Sequence, residues 1–355
     1  MKIAIHRRSG EPLHTNSWSG PWEEYCKASD LPHEVVDFLS PSASERIREF
    51  DIVLYHVSNA KRSDMLHGRS VLRAARAAGA QVFPDEPDAW HFDDKVAQSY
   101  LLSALGAPIP KWKVFHSMPE YLEWLSEAAE YPFIAKLKAG SGSHHVSLIE
   151  TPAKARAYGA RMFGPGIHPR PNLAFKARSN VLSARSLQQM ISRARRMPEF
   201  LRTRRNIGRF DVEQGYVYVQ EFIPNAGYDI KVAVVNGKVG FFARHVRPGD
   251  FRASGGGAFF YDRAAVPESV VRVAQETARK LGSLCMGFDF VVNSESGEPY
   301  IVEMSYGFSH RGVLDARGHW DSEGSWVERP LHVPREVIRA LVLASPAIPR
   351  GDVLG

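Results

Sequence analysis

Two apolar strand-like runs with one acid set inside each, "MGFDFVV" (286–292) and "YIVEMSY" (300–306), constrain this chain more than any other feature. The segment 293–299 between them has the Asn, Ser, Gly and Pro content of a hairpin loop. With that loop, Val292 pairs with Tyr300, and antiparallel counting sets Asp289 opposite Glu303. Like charges directly opposite each other destabilise a strand pair. The neighbours Phe288, Phe290, Val302 and Met304 are apolar, so solvent offers little relief. A divalent cation removes the conflict, and an all-oxygen donor set suits Mg²⁺ or Mn²⁺. Ser305 shares the face of Glu303 and offers a hydroxyl as a further ligand. The metal reading depends on register, since a slip of one residue would separate the acids and leave each solvated.

A second stretch, "YPFIAKLKAGSGSHHVSLIE" (131–150), is an apolar strand carrying Lys136 near its end, then Gly140-Ser141-Gly142-Ser143, then another strand. In a P-loop the lysine follows the glycines and opens a helix. Here Lys136 and Lys138 come first and Val146-Ser147-Leu148-Ile149 reads as strand. The order describes a β-loop-β flap whose N–H groups cover phosphates while a strand lysine neutralises them. The alternative is an ordinary Gly-rich hairpin with a solvated lysine.

With 355 residues the chain exceeds one ordinary domain. Residues 1–90 alternate strands ("KIAI", "DIVLYHV", "AQVFP") with a helix ("DMLHGRSVLRAARAAG"), the pattern of a small Rossmann-like α/β layer. Ligands in such sheets gather at strand carboxyl ends, which makes His6, Arg7 and His56 substrate-site candidates. "DDKVAQSYLLSALGAPIP" (93–110) reads as a helix capped by Asp93 or Asp94, with Val96, Ala97, Tyr100, Leu101, Ala104 and Leu105 as its apolar stripe. Lys95 falls in the first turn, where the helix dipole disfavours a cation, and that conflict hints at a visiting anion. From 216 the chain is β-rich, with Asn236-Gly237 a two-residue hairpin signal between "YDIKVAVV" and "KVGFFARHV". The tail 310–334 has loop composition with Trp320 and Trp326, which either wall a pocket or pack against the domain.

No apolar run approaches the roughly 18–20 residues of a membrane span. The N-terminus lacks a signal peptide's apolar stretch, and Cys26 and Cys285 have no CxxC partner, so the cytoplasm is the expected compartment. The net charge of +6 is concentrated in a segment spanning 151–215. Between Arg178 and Arg209 stand nine arginines, with Glu199 the one acid. This insertion is either a solvated basic face or a contact for an anionic substrate. Without aromatic interleaving or a nucleic-acid fold motif it gives no support to nucleic-acid binding.

Taken together, the early lysine, the strand lysine with its flap, "VQEFI" (219–223), the Asp229 strand and the paired acids resemble the ATP-grasp superfamily, and within it the RimK-type and glutathione-synthetase-like ligases. The resemblance covers 80–310. "QEFIPNAGYDIKVAVVNGKVGFFARHVRPGDFRASGGG" (220–257) is similar to the RimK-type pattern, and "GFDFVV…PYIVEMSYG" to its metal hairpin. It implies an α/β (α+β) ATP-grasp fold with a Rossmann-like domain over 1–90, a central lobe over 91–219 carrying the flap and insertion, and a C-terminal lobe over 220–355. It implies that Lys95 and Lys136 contact the phosphates of ATP beneath Gly140, Ser141, Gly142 and Ser143. Gln220, Glu221 and Ile223 would receive adenine, and Asp229 the ribose hydroxyls. Arg244 and Arg252 match basic positions near the transferred phosphoryl group, and Asp289 and Glu303 match metal ligands. Lys231 stands where the family commonly has Arg, which keeps the charge and loses the planar fork. Ser305 stands where Asn is usual, which weakens the case for a second metal.

The resemblance further implies an ATP- and Mg²⁺-dependent ligase joining a small-molecule carboxylate to an amine or thiol. Two other activities fit the same residues: a kinase on this fold, and a nucleotide-gated module gripping an anionic polymer. Oligomeric state is open, a homodimer included.

Overall fold

The computed structural model describes residues 1–9, 13, 16–57, 62–140, 145–168, 211–246, 251–252 and 258–345. Ser141, Gly142, Ser143 and the arginines from Arg178 to Arg209 lie outside the described residues. Strands β1 (Ile3–His6), β2 (His33–Val36), β3 (Ile52–Leu54) and β4 (Gln81–Phe83) form a parallel sheet in the order β2-β1-β3-β4. The inner strands β1 and β3 are continuous apolar runs because both faces of a parallel sheet are covered, and Ile3, Ala4, Ile5, Ile52, Val53 and Leu54 are all fully buried. Helices Ser19–Ala28 and Arg62–Ala77 flank them.

A second sheet is antiparallel throughout: β5 (Trp112–Phe115), β6 (Phe133–Lys136), β7 (Val146–Ile149) and β8 (Val217–Glu221), ordered β5-β8-β6-β7. It has its own core, in which Tyr121 and Met162 from two helices pack on Phe133, Ile149, Val217 and Val219.

The third and largest sheet contains β9 (Tyr228–Val235), β10 (Lys238–His245), β11 (Phe259–Phe260), β12 (Cys285–Val292), β13 (Pro299–Ser305), β14 (His319–Trp320) and β15 (Trp326–Val327). Its order is β13-β12-β9-β10-β14-β15, with β11 also on β10. Asn236 and Gly237 take positive φ (47° and 78°), the backbone that a two-residue turn between right-twisted strands requires. One apolar core runs from this sheet into the parallel one. Trp18 and Trp22 pin the two together by donating indole N–H bonds to the carbonyls of Phe308 (3.3 Å) and Pro334 (3.0 Å).

Two local expectations meet a different outcome, and a third, left open between two alternatives, is decided. The β12–β13 hairpin does not pair Val292 with Tyr300; Val292 faces Pro299 and Val291 faces Tyr300. A bulge at Val302 then restores the count, so that Asp289 does lie opposite Glu303. The helix Lys95–Ala104 is capped by Asp94, whose carboxylate accepts from the Ala97 N–H at 3.0 Å, but its most buried face is not the apolar stripe. Lys95, Gln98, Ser99 and Leu102 point inward, and Tyr100 is exposed. The inward polar groups all have partners, as buried ones must. Gln98 donates to His91 O and accepts from Met304 N–H, and Ser99 shares a 2.7 Å bond with the Tyr218 hydroxyl. In the tail, Trp320 and Trp326 pack edge to face on each other and against Phe241. Phe241 alternates with Phe242 and so lies on the far side of the sheet from Arg244. Among the described residues, no helix is long and apolar enough to cross a membrane.

Candidate active site

The second and third sheets meet along a cleft lined by Lys136, Gln220, Glu221, Ile223, Asp229, Arg252, Asp289 and Glu303. Its floor is the large sheet, where strand pairing lays charges side by side. Asp289 on β12 faces Glu303 on β13 and Lys231 on β9, and Asp229 on β9 faces Arg244 on β10. Asp229 and Lys231 are two residues apart in one strand and therefore share a face. The result is a cross-strand ladder in which the paired acids of β12 and β13 are flanked by the cations of β9 and β10.

The geometry of that ladder is tight. The Arg244 guanidinium forks onto Asp229, with Nε to Oδ1 at 2.7 Å and a terminal nitrogen to Oδ2 at 2.8 Å. The same terminal nitrogen reaches Asp289 Oδ1 at 2.9 Å, and Lys231 Nζ reaches that oxygen at 2.8 Å. Burial works to raise the Asp289 pKa, but Lys231 and Arg244 outweigh it and hold the carboxyl below its usual range. Burial pushes Asp229 up to about 6 against the pull of Arg244, so it too is ionised at neutral pH. The repulsion expected between Asp289 and Glu303 is thus already offset by two cations from the neighbouring strands.

Lys95 and Lys136 enter from the other side. Lys95 Nζ donates to Gly140 O at 2.7 Å and lies 3.5 Å from Glu303 Oε1. Burial disfavours its charge, but Glu303 and Asp93 outweigh the effect and its pKa is raised. The helix-dipole conflict at Lys95 is therefore answered within the protein. Lys136 Nζ donates to Val302 O, the carbonyl of the bulged residue, at 3.3 Å. Burial pushes its pKa down to about 8, with Lys95 adding to the effect and Glu303 opposing it. Lys138, just past the end of β6, is exposed.

The base of the flap is fixed to the start of the Lys95 helix. Gly140 N–H donates to Asp93 Oδ1 at 3.0 Å, and Lys95 N–H donates to Lys138 O at 2.8 Å. Gly140 has φ +117°, and a Cβ there would lie 2.9 Å from the His145 ring, so only glycine fits. Asp93 was not foreseen in this role. Its signal was a pair of adjacent acids, where a single cap needs one.

At the other end of the cleft, Gln220 is buried on β8, Glu221 is exposed, and Ile223 is buried in the crossing to β9. The Glu221 N–H bonds Lys111 O at 2.8 Å and fixes this crossing to the strand before it. Arg252 reaches the Val146 carbonyl at 3.4 Å on β7. An adjoining pocket is walled by Phe242, Phe259, Phe308, Lys231, Arg244 and Ser305. His6 and His56, considered from sequence, are instead stacked on Tyr55 and Trp18 inside the parallel sheet's core. Arg7 pairs with Glu23 at 2.6 Å.

The donor set fits a hard divalent cation. Both cations on Asp289 use Oδ1, and Oδ2 has no hydrogen bond among the described residues. The Glu303 carboxylate, 30% exposed, has the 3.5 Å contact with Lys95 as its closest ion pair. The Ser305 hydroxyl lies on the same strand but both donates to Gly307 O and accepts from Gly307 N–H at 3.0 Å. Among the described residues, no group of three or more His, Cys, Asp or Glu side chains is arranged to hold a metal. Any ion here would rest on two carboxylates and on oxygens from its own ligand. Asp229 has both oxygens on Arg244, which leaves roughly two of its four lone-pair sites for another donor.

No protein-family model matches the chain. A tetrahydromethanopterin:α-L-glutamate ligase of Methanosarcina acetivorans is 33% identical over 87 residues, and the match spans 24% of this chain and 26% of that protein's length. A RimK-domain ATP-grasp protein of Sphaerobacter thermophilus superposes with a TM-score of 0.53 at 17% identity, covering 97% of this chain and all of the other. The D-alanine–D-alanine ligase of Bacillus anthracis, solved with ATP, gives 0.54 at 12% identity and 96% coverage of each chain. With its two antiparallel sheets closing on a charged cleft, this chain has the ATP-grasp fold.

Proposed function

We propose that this chain is an ATP-dependent ligase that joins a small-molecule carboxylate to an amine, or to a thiol, through an acyl phosphate. One observation carries the reading. Lys95, Lys136, Lys231 and Arg244 converge with Asp289 and Glu303 where the two sheets meet, so cations and hard oxygen donors share one cleft. The names of the glutamate ligase and the D-alanine–D-alanine ligase support the same class of reaction.

In this reading ATP is a substrate whose adenine lies against Gln220, Glu221 and Ile223. Its ribose meets Asp229, and its phosphates meet Lys95 and Lys136 beneath Gly140, Ser141, Gly142 and Ser143. A carboxylate oxygen of the first substrate attacks the γ-phosphorus and ADP leaves. The amine nitrogen then attacks the acyl carbon, phosphate departs with the C–O bond pair, and the nitrogen loses a proton to leave an amide. Arg244 and Arg252 supply donors for charge that grows on the transferred phosphoryl group. Asp289 and Glu303, with Ser305 beside them, would hold Mg²⁺ or Mn²⁺, which when bound neutralises phosphate oxygens. The protein contributes positioning and charge stabilisation, and no side-chain nucleophile is required.

The test is ADP release across acids paired with amines, followed by product mass. A condensation product that forms only with both partners supports the ligase. Phosphate retained on a hydroxyl product without an amine identifies a kinase instead. Absent turnover with tight, salt-sensitive binding of an anionic polymer identifies a binding module.

A further inference from the structure

Away from the reaction cleft, the end of the helix Ser19–Ala28 faces the segment 329–339 across a cavity of about 800 Å³. That volume lies in the range of roughly 300–1,000 Å³ typical of small-molecule sites. Lys238 contributes from the start of β10, six residues before Arg244, which sets the cavity on the order of 20 Å from the charge ladder.

The lining is strongly unbalanced. Lys238, Arg329, Arg335 and Arg339 face one acid, Glu336. Glu336 is engaged by Lys238 at 2.8 Å and reaches Arg339 at 3.9 Å. Arg335 has only Glu24 at 3.8 Å, and Arg329 has no ion pair among the described residues. Arg335 and Arg339 stand four apart on the helix Val333–Ala344, a like-charge spacing that works against the helix. The lining thus carries an excess of three positive charges, a field that favours an entering anion.

A buried side chain anchors the backbone that carries Arg329. His319 is 3% exposed and lines the cavity, and its Nδ1 lies 2.8 Å from Arg329 O. A carbonyl can only accept, so Nδ1 carries the proton. The nearby helix start adds to the field, because its N-cap residue His332 makes no side-chain cap bond.

We propose that this cavity is a second ligand site, taking a small molecule with at least two phosphate or carboxylate groups, separate from the ATP cleft. The experiment is calorimetric titration of the full chain with pyrophosphate and with citrate. It is run with Mg²⁺ and a saturating non-hydrolysable ATP analogue, so that the nucleotide cleft is filled. The expected result is one bound probe per chain with a Kd below about 1 mM, and a Kd at least about tenfold weaker in Arg329→Gln/Arg339→Gln. The variant's affinity should also depend less steeply on salt. Tighter binding of pyrophosphate assigns phosphate groups to the ligand, and tighter binding of citrate assigns carboxylates. Arg329→Gln alone, at an exposed side chain without an ion pair, keeps the test valid if the double variant misfolds. Binding of neither probe, or equal binding by wild type and variants, would overturn the proposal.

Discussion

The reaction cleft and the C-terminal basic cavity use charge in opposite ways. In the cleft four cations are buried against a carboxylate or a carbonyl, Arg244 on two acids, Lys231 on one, Lys95 on Glu303 and Lys136 on Val302 O, while the half-buried Arg252 reaches Val146 O. In the cavity the arginines are largely exposed and outnumber their partners. Removing the buried Arg244 from the first should damage the fold as well as the chemistry. Removing an arginine from the second should leave the fold almost unchanged.

The largest effect is expected from Arg244→Met, which strands Asp229 in a buried site and leaves Asp289 with Lys231 alone. Breaking such a pair costs about 3–5 kcal/mol, and thermal unfolding should drop by roughly 5–10 °C. A shift under about 2 °C would show that the ladder is better hydrated than its burial implies.

Glu303→Gln separates chemistry from stability. This carboxylate is partly exposed and its ion pair is long, so the loss in stability should stay within about 1 kcal/mol. Turnover should nevertheless fall at least about 100-fold, which corresponds to some 2.7 kcal/mol of transition-state stabilisation. Activity within about threefold of wild type at saturating Mg²⁺ would remove Glu303 from the metal assignment.

Lys136→Met and Lys138→Met form a pair. The first should raise the KM for ATP by at least about tenfold, and the second should change it by less than about twofold. Lys136 also carries a pH signature. Its folded pKa of about 8 lies below its ordinary value of 10.5, so between those values the folded state binds fewer protons than the unfolded one. Nucleotide-free stability should therefore rise from this group as pH climbs through that window, and Lys136→Met should abolish the rise. Equal KM losses in both variants would mean that Lys138, not the buried lysine alone, serves the phosphates.

The smallest change is expected at Arg335→Gln. Its ion pair with Glu24 is 3.8 Å long, with side chains 48% and 69% exposed, so unfolding should shift by less than about 1 °C. A shift as large as that of Arg244→Met would erase the contrast between the two regions.

Much of the cleft was legible from sequence where the signal was local. The Asn-Gly turn fixed β9 against β10, and the hairpin loop brought Asp289 opposite Glu303. What could not be read was non-local. That β12 lies beside β9 decides that Lys231 sits on Asp289, and no spacing within either strand encodes that neighbour. The counted register succeeded only because one bulged residue made up for a loop pairing that was off by one. The Lys95 helix was read by its apolar stripe, whereas its inner face is polar because it borders the cleft. Hydrophobic periodicity locates a core, and here the helix leans on a site instead.

The bulge at Val302 has a further consequence for how this protein would drift over time. The carbonyl it presents to Lys136 belongs to the main chain, so the link between the two sheets survives nearly any side chain at that position. Substitution scanning at 302 would report a tolerant site, and the tie would be noticed only by replacing the lysine. Here a backbone irregularity holds information that residue identity does not.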